Sequence, residues 1–142
     1  MNILFMCVAN SARSQLAEGL ARKILGSAVQ VESAGSHPGK VNPYAVQVLR
    51  EIGIDITTHY SKSYDDLKPS FLLQLNYLIT LCAEEVCPQL TSRATKLHWP
   101  LPDPANKEGT EEAQLARFRE TRDAIAKKIR EFSEENRLSI EE

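Results

Sequence analysis

The 142-residue chain predicts an α/β fold, a three-layer sandwich around a four-stranded parallel sheet, formed by a single domain over residues 1–142. Three observations carry that prediction. Short apolar runs recur that are too short for a stable helix and suit strands buried on both faces of a parallel sheet. Segments with apolar residues three and four apart lie between and after them, so strands alternate with helices and the crossovers should be right-handed. No repeat, low-complexity stretch or linker divides the chain, and its length suits one domain.

The first strand is expected at residues 2–7, Asn-Ile-Leu-Phe-Met-Cys. From 14 to 25 the period changes: Leu16, Ala17, Leu20, Ala21 and Ile24 mark a helix that Gly26 stops. Residues 29–34 read as a second strand, closed by the loop sequence Gly35-Ser36-His37-Pro38-Gly39. Pro43 suits the first turn of a helix running to about residue 52, with Gly53 as its stop. Residues 57–70 are polar, with a short helix at 64–67 that ends before Pro69. A third buried strand is expected at 75–81, leading directly into Cys82. Residues 82–91 contain Pro88 and show no clean helical pattern. A fourth strand at 96–99 precedes Pro100, Pro102 and Pro104, which exclude regular structure to about residue 108. A long helix at 111–135 carries Leu115, Phe118, Arg122, Ile125, Ile129 and Phe132 on one face, and the polar tail after it should fray.

Composition narrows the function. Seventeen Lys+Arg against nineteen Asp+Glu give a net charge of −2, which argues against a nucleic-acid binder and against docking on anionic membranes. No apolar run approaches the length of a membrane span, and the N-terminus lacks the basic region of a signal peptide, so a cytoplasmic protein is expected. Cys7, Cys82 and Cys87 are an odd number of thiols, which in a reducing compartment is not a disulfide framework.

The chemistry concentrates in Cys7-Val8-Ala9-Asn10-Ser11-Ala12-Arg13-Ser14, between the first buried strand and the first helix. In such sheets ligands bind beyond the carboxyl ends of the strands. A helix N-terminus offers unpaired N–H groups and a partial positive charge, which suits a tetrahedral oxyanion. Small residues let the backbone of 8–14 wrap the anion, and Arg13 adds a planar two-pronged donor. The same field favours the thiolate of Cys7, to which Ser14 can donate a hydrogen bond. A thiolate at the floor of an oxyanion cradle is a nucleophile aimed at the central atom of the anion. Asp103, held between Pro102 and Pro104, is a candidate general acid for a leaving oxygen; the alternative is an exposed turn aspartate. Cys82 follows the third strand and so lies on the same sheet edge as Cys7, with Cys87 after Ala83-Glu84-Glu85-Val86. His59 and His98 lack metal-ligand spacing, so a zinc site is not expected, nor any other cofactor. Two thiols beside a reactive one point to a disulfide relay; the alternative is two buried loop cysteines.

These residues resemble the arsenate reductases built on the low-molecular-weight protein tyrosine phosphatase fold, the type usually recycled by thioredoxin. The markers are Cys7–Ser14 followed by Gln15-Leu16-Ala17-Glu18-Gly19, then Ser33-Ala34-Gly35, Val41-Asn42-Pro43, Gly53-Ile54-Asp55-Ile56, Thr80-Leu81-Cys82, His98-Trp99 and Asp103-Pro104-Ala105. The resemblance implies that Cys7 attacks arsenate held by the loop and Arg13, while Asp103 protonates the leaving hydroxide. It implies that Cys82 then attacks the adduct, releasing arsenite, and that Cys87 moves the disulfide to a Cys82–Cys87 pair for a thioredoxin or glutaredoxin donor. A monomer with some residual phosphatase activity is expected. Many relatives carry a second loop cysteine where Ala12 stands. Some bind potassium through an Asn, a Glu and an Asp; Asn10 and Glu18 match the first two, but Lys62 stands at the third, so no potassium site is expected.

Two other readings remain at this stage. A tyrosine phosphatase would use the same cradle, nucleophile and acid, but it usually carries aromatic residues after the Asp-Pro, where this chain has Ala105-Asn106-Lys107. A non-enzymatic oxyanion or redox sensor would need a partner-binding element, and none is visible in the sequence.

Overall fold

The structure is a computed structural model that describes residues 1–83, 90, 92–105 and 108–138. Its sheet has four parallel strands in the order β2-β1-β3-β4: β1 Asn2–Cys7, β2 Gln30–Gly35, β3 Tyr77–Thr80 and β4 Thr95–His98. Helices α1 Arg13–Leu25, α2 Pro43–Arg50, α3 Pro69–Leu73 and α4 Glu111–Glu135 complete the fold.

Side chains alternate across the sheet and build a core on each face. Ile3, Phe5, Val31 and Ile79 pack under α1, α2 and α4, together with Leu16, Leu20, Val48, Phe118, Ile125 and Phe132. Leu4, Met6, Ala34 and Leu78 point the other way, onto a thinner cover from Leu67, Phe71 and Leu75. β1 is buried at every residue, which is why its sequence is apolar without alternation. The Trp99 ring lies between Phe5 and Phe132, at centroid distances of 6.0 and 6.2 Å, so the tryptophan of the His98-Trp99 pair is partly buried and packs against the core.

Local signals account for the helix ends. Asn42 caps α2, its side-chain oxygen accepting from Tyr44 N–H at 2.8 Å, with Pro43 in the first turn. Thr110 caps α4 through Ala113 N–H at 3.1 Å, and Glu111 and Glu112 sit in the first turn, where the helix dipole favours them. The helix at 111–135 is found as expected. Helix α2 ends at Arg50, short of residue 52, and Gly53 follows at φ 81°, a left-handed conformation that suits glycine.

The region from 64 to 76 differs from expectation. Residues Tyr64–Asp66 form the expected short turn of helix, but Pro69 opens a further helix, α3, instead of ending structure. A proline at the first helical position has a suitable φ and would leave that N–H unpaired in any case. Helix α3 also shortens β3: Leu75 N–H closes onto Leu72 C=O at 3.3 Å, and the strand begins only at Tyr77. Of the expected loop over 82–91, residues 84–89 and 91 lie outside the described residues, Cys87 among them, as does the tail beyond 138.

Candidate active site

The segment between β1 and α1 forms a loop whose carbonyls all find partners on its outer side. Val8 C=O accepts from His37 N–H at 2.9 Å, Ala9 C=O from Gly39 N–H at 3.0 Å and Ser11 C=O from Asn42 N–H at 2.9 Å. Asn10 C=O accepts from Ser61 Oγ at 2.6 Å, and Ala12 C=O from Leu16 N–H at 2.9 Å. No peptide bond here is cis, and in a trans peptide the next N–H points opposite the carbonyl. The N–H groups of residues 9–13 therefore turn inward. Helix α1 begins at Arg13 with no side-chain cap on Ala12 and no acid in its first turn. An inward row of N–H groups ending at an uncapped helix N-terminus is an anion cradle.

Cys7 stands at the floor of this loop, buried, with its Sγ 2.9 Å from Ser14 Oγ. Arg13 is also buried; its Nη1 donates to Leu101 C=O at 2.9 Å and to Leu81 C=O at 3.4 Å. These bonds aim the guanidinium across the carboxyl ends of the strands. They also tie it to the residue directly before Cys82, which is buried on that same edge. Asp103 reaches within 4.0 Å of Arg13 Nη2 and is half exposed, with its other oxygen accepting from Ala105 N–H at 3.0 Å. The structure thus brings Cys7, Arg13, Ser14, the 8–12 loop and Asp103 together and sets Cys82 on the same edge; Cys87 lies outside the described residues.

Behind the loop lies a buried polar network. Asn10 adopts φ 50° and uses its whole side chain. Its Oδ1 accepts from Lys62 N–H and Gln15 Nε2, both at 3.0 Å, while its Nδ2 donates to Ser14 Oγ at 2.8 Å and Ser33 Oγ at 2.9 Å. Ser33 in turn donates to Glu18 Oε1 at 2.5 Å. Glu18, 2% exposed, is compensated by Lys62 Nζ at 3.4 Å and Arg22 Nη2 at 3.1 Å. Lys62 is no surface lysine: it is 6% exposed and pairs with the buried carboxylate. A buried carboxylate needs such partners, because desolvation without them is prohibitive.

Gly35, the last residue of β2, lies against the loop. A Cβ there would overlap the Val8 carbonyl oxygen and come within 2.9 Å of Asn10 N. The sequence reading quoted Gly35, Ser33 and Gln15 as motif members without a role, matched Glu18 only to a potassium ligand of some relatives, and gave Ser61 no role. The available signal was polar residues 14, 15 and 18 on a helix that is buried on both flanks, where only paired polar groups survive.

His59 joins the same network, its Nδ1 lying 3.2 Å from Gln15 Oε1 and 3.4 Å from Glu18 Oε2. Its pKa is lowered from 6.5, first by burial, which outweighs the pull of Glu18; Arg22 and Lys62 push it further down and Asp55 opposes them. The unfolded chain therefore binds the His59 proton more readily than the folded one. This contribution to stability is complete above about pH 6.5 and is lost as pH falls below it. The wild-type protein should lose more urea resistance between pH 7.5 and 5.5 than a His59→Asn variant. Equal losses would show that His59 does not carry the difference.

The comparisons agree with this geometry. The model of the low-molecular-weight phosphotyrosine protein phosphatase family matches residues 2–141, and the chain belongs to that family. Within it, the chain is 44% identical over 134 residues to an arsenate reductase of Halalkalibacterium halodurans, covering 93% of this chain and 94% of the relative. A solved arsenate reductase in a phosphate-binding state superposes with a TM-score of 0.76 at 27% identity, covering 94% of this chain and 97% of that one. A thioredoxin-dependent arsenate reductase of Corynebacterium glutamicum superposes with a TM-score of 0.69 at 32% identity, covering 94% of this chain but 60% of that one.

Proposed function

We propose that this protein is an arsenate reductase that passes oxidation from Cys7 to Cys82 and on to Cys87. The observation that carries the reading is the second buried cysteine, Cys82, directly after Leu81, whose carbonyl is bonded to Arg13. Hydrolysis of a phosphate ester needs one thiol, whereas two-electron reduction of arsenic(V) needs two. The names of the relatives support the same reading.

In this mechanism the cradle N–H groups of 9–13 and Arg13 hold the arsenate oxygens. Cys7 thiolate displaces one oxygen, which leaves as water with protons from arsenate and Asp103, forming a Cys7–arsenic(V) bond. Cys82 thiolate attacks Cys7 Sγ. The sulfur–arsenic pair leaves with arsenic as arsenite, and the two sulfurs are oxidised to a disulfide. Cys87 thiolate then attacks Cys82, freeing Cys7 and forming the Cys82–Cys87 disulfide. An external dithiol, by analogy with the Corynebacterium relative a thioredoxin, reduces it. A reducing cytoplasm, which keeps all three thiols ready, suits this cycle. Every step uses residues of one chain, so the reaction needs no second copy.

Phosphate resembles arsenate in shape and charge, so slow hydrolysis of an activated aryl phosphate accompanies the reductase activity. This side reaction supplies the test. Cys82→Ser and Cys87→Ser should each reduce multiple-turnover arsenate reduction by about 10³-fold or more while leaving aryl phosphate hydrolysis within about threefold of wild type. Equal loss of both activities would mean that these cysteines are structural and would favour a phosphatase.

A further inference from the structure

We propose that Gln15 is a positioning residue for the thiol chemistry: it sets the direction of a hydrogen-bond chain running from His59 to Cys7, in which every hydrogen points toward the sulfur. The direction follows from groups that can play only one role. Gln15 Nε2 lies 3.1 Å from Tyr60 C=O and 3.3 Å from Asn10 C=O, both acceptors, so this end of the amide is the donor. Its Oε1 consequently faces His59, and His59 Nδ1 carries the hydrogen at 3.2 Å. Asn10 Oδ1 faces the Lys62 backbone N–H, which can only donate, so Asn10 Nδ2 must face Ser14. Ser14 Oγ accepts that bond, which turns its own hydrogen toward Cys7 Sγ at 2.9 Å.

The order is thus His59 Nδ1–H to Gln15 Oε1, Gln15 Nε2–H to Asn10 Oδ1, Asn10 Nδ2–H to Ser14 Oγ, and Ser14 O–H to Cys7 Sγ. Bonds aligned head to tail polarise one another, most effectively where water is excluded, and His59 alone of the side chains in the chain keeps partial exposure. A thiolate accepts such a bond well and a thiol poorly, so the chain favours the thiolate. Gln15 does not touch the anion or the sulfur. Its effect passes through Asn10, held at φ 50° where few non-glycine residues settle.

The inference rests on Cys7 being the reactive thiol. It is tested by alkylation, which requires neither arsenate nor an electron donor and so can fail or succeed independently of the reductase reading. In the full chain carrying Cys82→Ser and Cys87→Ser, iodoacetamide labels Cys7 as the single thiol. Gln15→Met should slow labelling at pH 7 by about threefold to tenfold and leave it unchanged at pH 10, where any accessible thiol is ionised. Gln15→Glu keeps the shape but loses the donor, and should slow labelling at pH 7 at least as much. His59→Leu cuts the chain one step further out and should give a smaller loss of about twofold in the same sense, which also covers the case of Gln15 variants that do not fold. Labelling at the wild-type rate at pH 7 in folded variants, or equal slowing at both pH values, would overturn the proposal, the latter by showing that only access to Cys7 had changed.

Discussion

Cys7→Ser is expected to abolish arsenate reduction, by about 10⁴-fold or more, with the fold intact. The near-isosteric oxygen keeps a hydrogen bond to Ser14 and fits a strand end that is buried and paired with Gly35. The chemistry is lost for two reasons. A serine hydroxyl is protonated at neutral pH and has no general base among the described residues at its side. An oxygen also cannot close the disulfide by which arsenic gains its electron pair, so the reaction lacks its second half even if an ester were to form. Arsenite production with a dithiol donor measures the effect, and the thermal midpoint should stay within a few degrees of wild type. Substantial arsenite production by the serine variant would move the nucleophile elsewhere. Aryl phosphate hydrolysis should fall with it, since the same sulfur serves both reactions.

Gly35→Ala is the change outside the cradle with the largest expected effect. The added methyl meets backbone, the Val8 carbonyl and the Asn10 nitrogen, and backbone cannot rotate away as a side chain can. The loop must shift. Val8 C=O would move off His37 N–H, and Asn10 is held by Gln15, Lys62, Ser14 and Ser33, so the strain spreads into the network. Overpacking of this kind costs about 1–3 kcal/mol of stability. A displacement of about 1 Å in a positioned loop costs about 10²-fold in rate. Denaturant unfolding and steady-state turnover together read both effects. An alanine variant with wild-type turnover would show that the loop tolerates the shift and that the close approach is incidental.

Much of the fold was legible in the sequence because it rests on local signals. The buried strand 2–7 shows in its unbroken apolar run, and the helix 111–135 in its regular spacing. The miss at α3 has a local cause: Pro69 reads equally as a stop for one helix and a first residue for the next, and only the packing of Phe71 and Leu75 against Leu4 and Met6 decides between them. The site divides in the same way. Cys7, Arg13 and Ser14 fall within one short segment, so their strand–loop–helix setting was readable from the chain itself. The sequence alone determined the parallel α/β fold, the anion cradle and the place of its cysteine. The tertiary structure alone decided which distant groups meet behind it: Gln15 on α1, Ser33 on β2, and His59, Ser61 and Lys62 from the segment before the next helix. Burial makes each of these polar groups costly unless paired, and which partner it finds depends on how strands and helices stack, which no local pattern encodes.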